Sequence, residues 1–341
     1  MILETKNLTI GYTHKQKVTR VVAESIDVGL QGGELVCLLG PNGAGKSTLM
    51  RTIAGMQRPL TGRVLLNGKD VTTLDAKTIA KQLSVVLTER VDVGMLSAYA
   101  LVALGRTPYT SWTGKLTDED EQIVQEAITA VSATDLAHRQ VSQLSDGERQ
   151  KVMIARALAQ EPKLMILDEP TAYLDLPRRV EIMRILRNLA RTQNRAILLS
   201  THDLDLALRS ADKIWLMPQT GKMQIGMPED LVLNGTFEET FLREGVQFDA
   251  QSGSFKIHRQ FAGDVDLIGE GLPAVWVKRA LEREGFEVHR GPNGSQTQIK
   301  VVDGGSNGNG RYHWQLSTPE KISEHDQIAT LLRSLKARDN S

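Results

Sequence analysis

The sequence predicts an α/β protein with a mixed sheet and a helical insert, followed by a small α+β domain. Three observations support this fold class. Short apolar runs with the length of buried strands alternate with helical segments. One of these runs leads into a glycine-rich loop, and another ends in two carboxylates. After residue 258 a second alternation of strands and helices begins, without either feature.

The glycine-rich loop follows the apolar strand Leu35–Leu39 and reads Gly40-Pro41-Asn42-Gly43-Ala44-Gly45-Lys46-Ser47-Thr48. It fits the pattern G-x-x-x-x-G-K-[ST] of phosphate-binding loops, and the residues from Thr48 onward predict a helix. Inward-pointing N–H groups and a helix N-terminus favour a phosphate. We expect Lys46 to reach the β- and γ-phosphates of a nucleotide and the Ser47 hydroxyl to hold Mg²⁺. A chance glycine-rich turn is the alternative, which the strand–loop–helix context disfavours.

Length, charge and cysteine usage narrow the class of protein. The 341 residues predict one large or two modest domains. Lysine plus arginine and aspartate plus glutamate balance at 41 each, and no basic block stands out, so we expect no nucleic-acid partner. The one cysteine, Cys37, cannot form a disulfide within the chain, which is compatible with a reducing cytosol. We find neither a secretory signal nor ~18 consecutive apolar residues, so we expect no membrane span.

The segments before the insert predict strands. These are Leu8–Tyr12, a region from Val21 to Leu30, Arg63–Gly68, and Leu83–Leu87 as a central strand. Tyr12 stands where an aromatic ring could stack on adenine, although a tyrosine at a strand end is more often a packing residue.

The insert, about residues 90–150, is expected to be mostly helical from Ser97 to Ser145. Asp118 and the carboxylates after it mark the start of one helix. Ser145 with Glu148 three residues later forms a capping box, which predicts that another helix begins there.

Two apolar strands after the insert end in polar side chains. Leu164–Leu167 leads into Asp168 and Glu169, the arrangement called Walker B when a phosphate loop lies upstream. We expect Asp168 to lie beside the Mg²⁺ site and Glu169 to orient or deprotonate a water. An acidic turn in solvent is the alternative. The next strand, Ala196–Ser200, leads to His202. A lone histidine there is more often structural, but near the γ-phosphate it could position that group.

With these motifs in this order, residues 3–256 resemble the ATP-binding-cassette (ABC) ATPases. The resemblance implies that two copies sandwich two ATP molecules head to tail, so that each site needs both chains. It assigns a role to each matched position: Tyr12 stacks on adenine, Ser145 and Gly147 of the signature contact the γ-phosphate held by the other copy, Asp168 is the Walker B aspartate, Glu169 the catalytic glutamate, and His202 the switch histidine.

Within that family, the chain looks most like importer ATPases for iron(III)–siderophore, haem and cobalamin uptake. The stretches Tyr99–Leu116 and Thr171–Asp175 carry this similarity. It implies a membrane permease as partner, an indirect link to a substrate-binding protein, and a peripheral location on the cytoplasmic face of the membrane. Iron–chelate uptake is the favoured substrate class.

Three positions depart from the family pattern. Thr88 stands where the family has a glutamine that ligates Mg²⁺, so the resemblance makes Thr88 a third candidate metal ligand. Asp146 stands at a glycine position of the signature, where a carboxylate should disfavour a phosphate. Glu148 replaces a glutamine. These changes leave the family assignment intact and affect the expected Mg²⁺ ligands and hydrolysis kinetics.

The resemblance predicts a boundary between an ATP-binding domain, residues 1–258, and an extension, residues 259–341. The extension is expected to hold strands at Val265–Gly269, Phe286–Val288, Gln298–Val302 and Tyr312–Leu316, a helix with Pro273 at its first position, and a closing helix over Ile328–Leu335. We expect a regulatory or dimer-stabilising role for it.

Three functional hypotheses follow. The first is the ATP-hydrolysing subunit of an importer. The second is a soluble cassette ATPase of the repair or translation type, which the single phosphate loop and the lack of sustained heptads disfavour. The third is a nucleotide-dependent switch with little hydrolysis, suggested by Thr88 and Asp146.

Overall fold

The computed structural model describes residues 1–14, 17–87, 94–242, 246–249, 254–257, 261–302 and 312–339. The chain divides into two compact units. The first, called the cassette here, comprises residues 1–242 and 248–254, and the second, the C-terminal unit, comprises residues 243–247 and 255–341. No helix among the described residues is long and apolar enough to cross a membrane.

The cassette contains two sheets, an insert of helices and several flanking helices. Its strands are β1 (Leu3–His14), β2 (Lys17–Ile26), β3 (Gly29–Leu30), β4 (Leu35–Leu39), β5 (Thr61–Leu66), β6 (Lys69–Asp70), β7 (Leu83–Val86), β8 (Leu164–Leu167), β9 (Ala196–Ser200), β10 (Lys213–Leu216) and β11 (Gln224–Gly226). Its helices are α1 (Lys46–Ile53), α2 (Ala76–Ala80), α3 (Ala98–Ala103), α4 (Asp118–Ala130), α5 (Asp146–Ala159), α6 (Leu176–Gln193), α7 (Leu204–Ser210), α8 (Pro228–Leu233) and α9 (Thr236–Phe241). Single 3-10 turns cover Val71–Thr73, Leu104–Arg106, Thr134–Leu136 and Val141–Gln143.

A six-stranded sheet with the order β11-β10-β4-β9-β8-β7 forms the centre of the cassette. All its pairs are parallel except β10 with β11. Every residue of β4, β8 and β9 is buried, which explains why these strands are continuous apolar runs. Because the carboxyl ends of parallel strands meet at one edge, the loops after β4, β8 and β9 lie together there.

The strand over Leu83–Leu87 is confirmed as β7, but its predicted central position is wrong. It is the last strand in the order of the sheet. Helices α2 and α5 pack against it, and Leu83, Ser84 and Val86 are buried. An edge strand covered in this way has the apolar pattern of a central strand, so the sequence does not distinguish the two.

The second sheet of the cassette is mainly antiparallel, with the order β2-β1-β5-β6, and β3 pairs with β1. A hydrophobic core of the cassette lies between the two sheets and α1. It includes Leu8 and Ile10 of β1, Leu49 of α1 and Leu198 of β9. The core thus fixes α1, and with it the loop that precedes α1, against both sheets.

The insert is mostly helical, as expected, and consists of α3, α4 and α5 with short turns between them. An ion-pair network centred on the buried Arg106 joins these elements. The guanidinium of Arg106 donates from Nε to Asp120 Oδ1 at 2.8 Å and from Nη1 to Glu161 Oε2 at 2.7 Å. Its Nη1 also donates to the Ala159 carbonyl at the end of α5, at 2.8 Å. The Tyr109 ring stacks on this guanidinium, with Arg106 Cζ 4.0 Å from the ring centroid.

A two-stranded sheet, β12 (Val246–Asp249) with β13 (Ser254–Ile257), follows the cassette helices in the chain. The C-terminal unit then contains β14 (Gly263–Ile268), α10 (Gly271–Arg283), β15 (Phe286–Arg290), β16 (Gln298–Val302), β17 (His313–Ser317), β18 (Ile322–His325) and α11 (Ile328–Asp339). Its five strands form one sheet with the order β15-β14-β16-β17-β18, parallel for β15, β14 and β16 and antiparallel beyond.

The prediction of an α+β C-terminal unit is confirmed, with two differences. Helix α10 begins at Gly271, so Pro273 occupies the third helical position rather than the first. Strand β18 was not predicted, because Ile322-Ser323-Glu324-His325 lacks an apolar alternation. Along β17, Trp314 is buried whereas His313 is half-buried, which agrees with side chains on opposite faces.

Acid is expected to weaken the C-terminal unit through His325. Burial lowers the pKa of this imidazole below its ordinary value of 6.5, with Asp326 acting in the opposite direction. Between the lowered pKa and 6.5 the unfolded chain binds more protons, so stability falls as the pH falls through this window. After correction for the intrinsic exchange rate, which slows as the pH falls, hydrogen exchange of β17 and β18 amides in the full chain should therefore accelerate below pH 6.5. The His325→Gln variant should lose this extra acceleration, and equal profiles would contradict the expectation.

Candidate functional site

A cleft of about 310 Å³ opens where the loops after β4, β8 and β9 meet. The residues that line it are Tyr12, Arg20, Val22, Asn42, Gly43, Gly45, Lys46, Ser47, Thr48, Glu169 and His202. The structure thus brings most of the sequence-predicted site residues into one place. Gly40, Pro41 and Ala44 belong to the same loop, and Asp168 lies at the adjacent strand end.

The loop before α1 has the backbone shape that glycine permits. Gly45 caps α1 with a φ of 108°, and Gly40 has a φ of 155°. A Cβ atom at Gly40 would lie 2.1 Å from the Met217 carbonyl oxygen, and one at Gly45 would lie 2.2 Å from Val22 Cγ1. Helix α1 begins at Lys46, two residues before the predicted start at Thr48. Its N-terminus therefore includes Lys46 and Ser47 and faces the cleft.

The Lys46 ammonium is held by its own loop. Its Nζ donates to the carbonyl oxygens of Gly40 at 2.8 Å and Pro41 at 3.2 Å. Burial lowers the pKa of Lys46 below its ordinary value, whereas the carboxylates of Glu169 and Asp168 act to raise it. The two carboxylates therefore favour the charged form that a phosphate would need.

Replacing Gly45 by alanine is expected to weaken nucleotide binding about 5- to 30-fold, because the loop would relax away from the conformation that presents its N–H groups to a phosphate. The left-handed backbone costs an L-residue roughly 1–2 kcal/mol, and 1.4 kcal/mol corresponds to a factor of ten in affinity. The close approach to Val22 adds to this effect. The control is Gly221→Ala, which has a similar φ of 96° but open space around its Cβ. Titration with a fluorescent ATP analogue compares them, and equal affinities would contradict the expectation.

Tyr12 contributes an aromatic ring from β1. It lines the cleft, and its hydroxyl is hydrogen-bonded to the Thr48 hydroxyl at 2.9 Å. Almost half of the side chain, 46%, is exposed. The ring therefore lies at the mouth of the loop with one surface open to a ligand.

A third residue, Ser200, links Asp168 and Glu169, the two acidic residues that follow β8. Ser200, the last residue of β9, donates from Oγ to Asp168 Oδ1 at 2.6 Å and accepts from the Glu169 amide at 2.9 Å. No sequence motif marks Ser200 as a site residue. The available signal was a hydroxyl at the end of an otherwise apolar strand, next to the Walker B strand in the sheet.

Glu169 and His202 lie in contact across the cleft. His202 Nε2 is 2.7 Å from Glu169 Oε1. Glu169 has a left-handed backbone with a φ of 50°. The structure thus places His202 in direct contact with the candidate catalytic glutamate, a contact that the sequence analysis does not predict.

The signature residues lie outside the cleft. Ser145 caps α5, and the Glu148 carboxylate accepts from both the amide and the hydroxyl of Ser145 at 2.8 Å. Hydrogen bonds from Ser145 lower the pKa of Glu148, and Arg139 adds to this. The capping box is therefore confirmed, and it gives a physical reason for glutamate at position 148. Gly147 is buried at the start of α5, where a Cβ would lie 3.1 Å from Arg178 Cδ.

Thr88, the third candidate metal ligand, lies outside the described residues. Among the described residues, no group of three or more histidine, cysteine or acidic side chains could hold a metal ion. The donors at the cleft are the Ser47 hydroxyl and the nearby Asp168 carboxylate. This set fits Mg²⁺, which binds one or two carboxylates together with substrate phosphates, and not a metal held by the protein alone.

Comparison with known protein families gives two matches. A family model described as "ABC transporter" matches residues 23–172. A model described as "Iron ABC transporter C-terminal domain" matches residues 262–336, which lie in the C-terminal unit.

Two curated relatives and one solved structure are similar to this chain and also belong to ABC ATP-binding proteins. An uncharacterized ABC transporter ATP-binding protein of Methanocaldococcus jannaschii is 44% identical over 256 residues, 75% of this chain and 87% of the relative. A petrobactin import ATP-binding protein of Bacillus anthracis is 35% identical over 73% of this chain and 88% of the relative. A dimeric ATP-binding cassette bound to ADP and phosphate after hydrolysis is 25% identical, with a TM-score of 0.56 over 65% of this chain and 97% of that chain. The chain therefore belongs to the ATP-binding proteins of the ABC transporter family.

Proposed function

We propose that this protein is the ATP-hydrolysing subunit of an importer for iron(III)–siderophore complexes. The observation that carries the proposal is the cleft that joins Lys46 and Ser47 of the phosphate loop to Glu169 and His202. A relative named for petrobactin import and the iron-transporter match of residues 262–336 support the substrate class. Both favour an importer over a cassette ATPase that is not coupled to transport.

Catalysis requires charge neutralisation at the γ-phosphate and an activated water. Lys46 and the N–H groups at the start of α1 bind the phosphates, and Tyr12 stacks on adenine. Glu169 accepts the proton of a water that attacks the γ-phosphorus in line, and His202 holds the Glu169 carboxylate in position. Ser47 and Asp168 would hold Mg²⁺, whose charge offsets that of the phosphate oxygens.

The site is proposed to be completed by a second copy of the chain. Ser145 and Gly147 lie at the N-terminus of α5, which carries the positive end of the helix dipole. In a head-to-tail dimer this N-terminus would face the γ-phosphate bound by the other copy. The chain itself would sit on the cytoplasmic face of the membrane, on a permease that receives its cargo from a substrate-binding protein.

Reconstitution tests this function. The chain is co-expressed with the permease that co-purifies with it, and the complex is placed in proteoliposomes with ATP on the cassette side. The complex should take up radiolabelled ferric siderophore in the presence of its binding protein, and the Lys46→Ala variant should not. Uptake of cobalamin or haem instead would contradict the iron assignment, and ATP hydrolysis without uptake of any of the three would contradict the transport function.

A further inference from the structure

Ser200 contacts both Asp168 and Glu169. In the proposed function, Asp168 binds the metal ion and Glu169 activates the water. Ser200 lies at the end of β9, flanked by β4 and β8, and its side chain is fully buried. Its hydroxyl donates to one partner, Asp168 Oδ1 at 2.6 Å, and accepts from the other, the Glu169 amide at 2.9 Å. One hydroxyl therefore uses its proton on the carboxylate and a lone pair on the main chain.

The first hydrogen bond restricts the carboxylate of Asp168. A donor at 2.6 Å to an ionised oxygen is a short, strong hydrogen bond, and it fixes the orientation of the carboxylate. Asp168 already has its amide bound to the Val86 carbonyl at 2.8 Å, so both its main chain and its side chain are held.

The second hydrogen bond restrains the backbone of Glu169. This residue has a φ of 50°, a conformation that residues with a Cβ seldom adopt. Such a conformation persists only where the surroundings hold it. The Ser200 hydroxyl accepts a hydrogen bond from the Glu169 amide, two residues after the end of β8.

We propose that Ser200 is a positioning residue that sets the Asp168 carboxylate and the Glu169 backbone together. This rests on the proposed roles of Asp168 and Glu169. One hydroxyl thus links the orientation of the Asp168 carboxylate to the backbone conformation of Glu169. Loss of the hydroxyl should therefore weaken both divalent-cation binding and hydrolysis, and it should leave the cation-free contacts of the phosphate loop unchanged.

The test variant is Ser200→Ala, and the chain offers a matched control. Ser84 is a serine of β7 in the same sheet, only 2% exposed, and its Oγ is without a hydrogen-bond partner among the described residues. Ser84→Ala therefore makes the same atomic change, at similar burial, without removing a hydrogen bond to the site.

The first measurement uses Mn²⁺ as the probe. Electron paramagnetic resonance of free Mn²⁺ gives its dissociation constant for the full chain with a slowly hydrolysed ATP analogue. Ser200→Ala should raise this constant about 10- to 100-fold, the usual effect of removing a group that orients a metal ligand. Ser84→Ala should match the wild type. Binding of the analogue in the presence of a chelator should be equal in all three proteins.

The second measurement separates kcat from KM for ATP. The same range of loss, about 10- to 100-fold, is expected in kcat for Ser200→Ala. A Ser200→Ala protein that binds Mn²⁺ like the wild type overturns the proposal, even if its hydrolysis is slower, because a purely structural role predicts that result. Failure of the proposed function has a different signature, namely equal hydrolysis by the wild type and Glu169→Gln.

Discussion

The Glu169→Gln variant is expected to lose ATP hydrolysis by about 100- to 10,000-fold, the usual contribution of a positioned general base. Glutamine keeps the shape of the side chain but cannot accept the proton of the attacking water. Its backbone can retain the left-handed conformation and the hydrogen bond to Ser200. Nucleotide affinity should therefore change little, and steady-state phosphate release together with equilibrium ATP binding measures both quantities.

The control for this substitution is Glu229→Gln. Glu229 is an exposed residue at the start of α8 and does not line the cleft. The same chemical change there should leave hydrolysis within a factor of about two, because surface substitutions usually alter stability by less than about 0.5 kcal/mol. If Glu169→Gln hydrolyses ATP at the rate of the wild type, Glu169 is not the base. That result would favour the interpretation as a nucleotide-dependent switch.

Removing Arg106 is expected to destabilise the cassette by about 3–5 kcal/mol, the usual effect of leaving a buried charge without its partner. Both Arg106 and its partner Asp120 are buried, with side chains only 4% and 9% exposed. In Arg106→Ala, Asp120 loses its cation, and the Ala159 carbonyl loses its donor. Urea denaturation followed by circular dichroism gives the change in the free energy of unfolding.

An exposed ion pair provides the comparison for Arg106. Arg209 donates from Nε to Asp205 within α7, with side chains 69% and 56% exposed. Arg209→Ala should change stability by no more than about 1 kcal/mol, because solvent screens such pairs. Similar losses for the two variants would show that burial does not set the strength of the Arg106 network. The stretch around Arg106 also carries the sequence resemblance to importer ATPases, and a large loss confined to Arg106→Ala would give that stretch a structural role.

Much of the fold was predictable because its sequence signals are local. Strands β4 and β8 are uninterrupted apolar runs, and β9 is apolar up to Ser200. The capping box of α5 consists of two residues, Ser145 and Glu148, three positions apart. The edge position of β7 was not predictable, because it depends on which helices cover the strand. Strand β18 was missed because its pairing with β17, and not its own composition, makes it a strand.

The candidate site divides in the same way. The loop before α1 and the two carboxylates after β8 are contiguous in sequence, so motif spacing predicts them. The contact of Ser200 with Asp168 joins residues 32 positions apart. It depends on β8 and β9 being neighbours in the sheet, which nothing local to either strand specifies. The contact of His202 with Glu169 was not predicted either, because it joins the turns after two different strands.

The left-handed backbone of Glu169 places stability and turnover in opposition at one position. Glycine would relieve a strain of roughly 1–2 kcal/mol, partly offset by the greater freedom it gives the unfolded chain. Loss of the half-exposed contact between Glu169 and His202 would reduce this gain in stability only slightly. Directed evolution for heat resistance alone should therefore enrich Glu169→Gly, and the resulting cassettes should be more robust but unable to hydrolyse ATP. A collection of thermostable variants without this substitution would show that the strain is smaller than the φ of 50° implies.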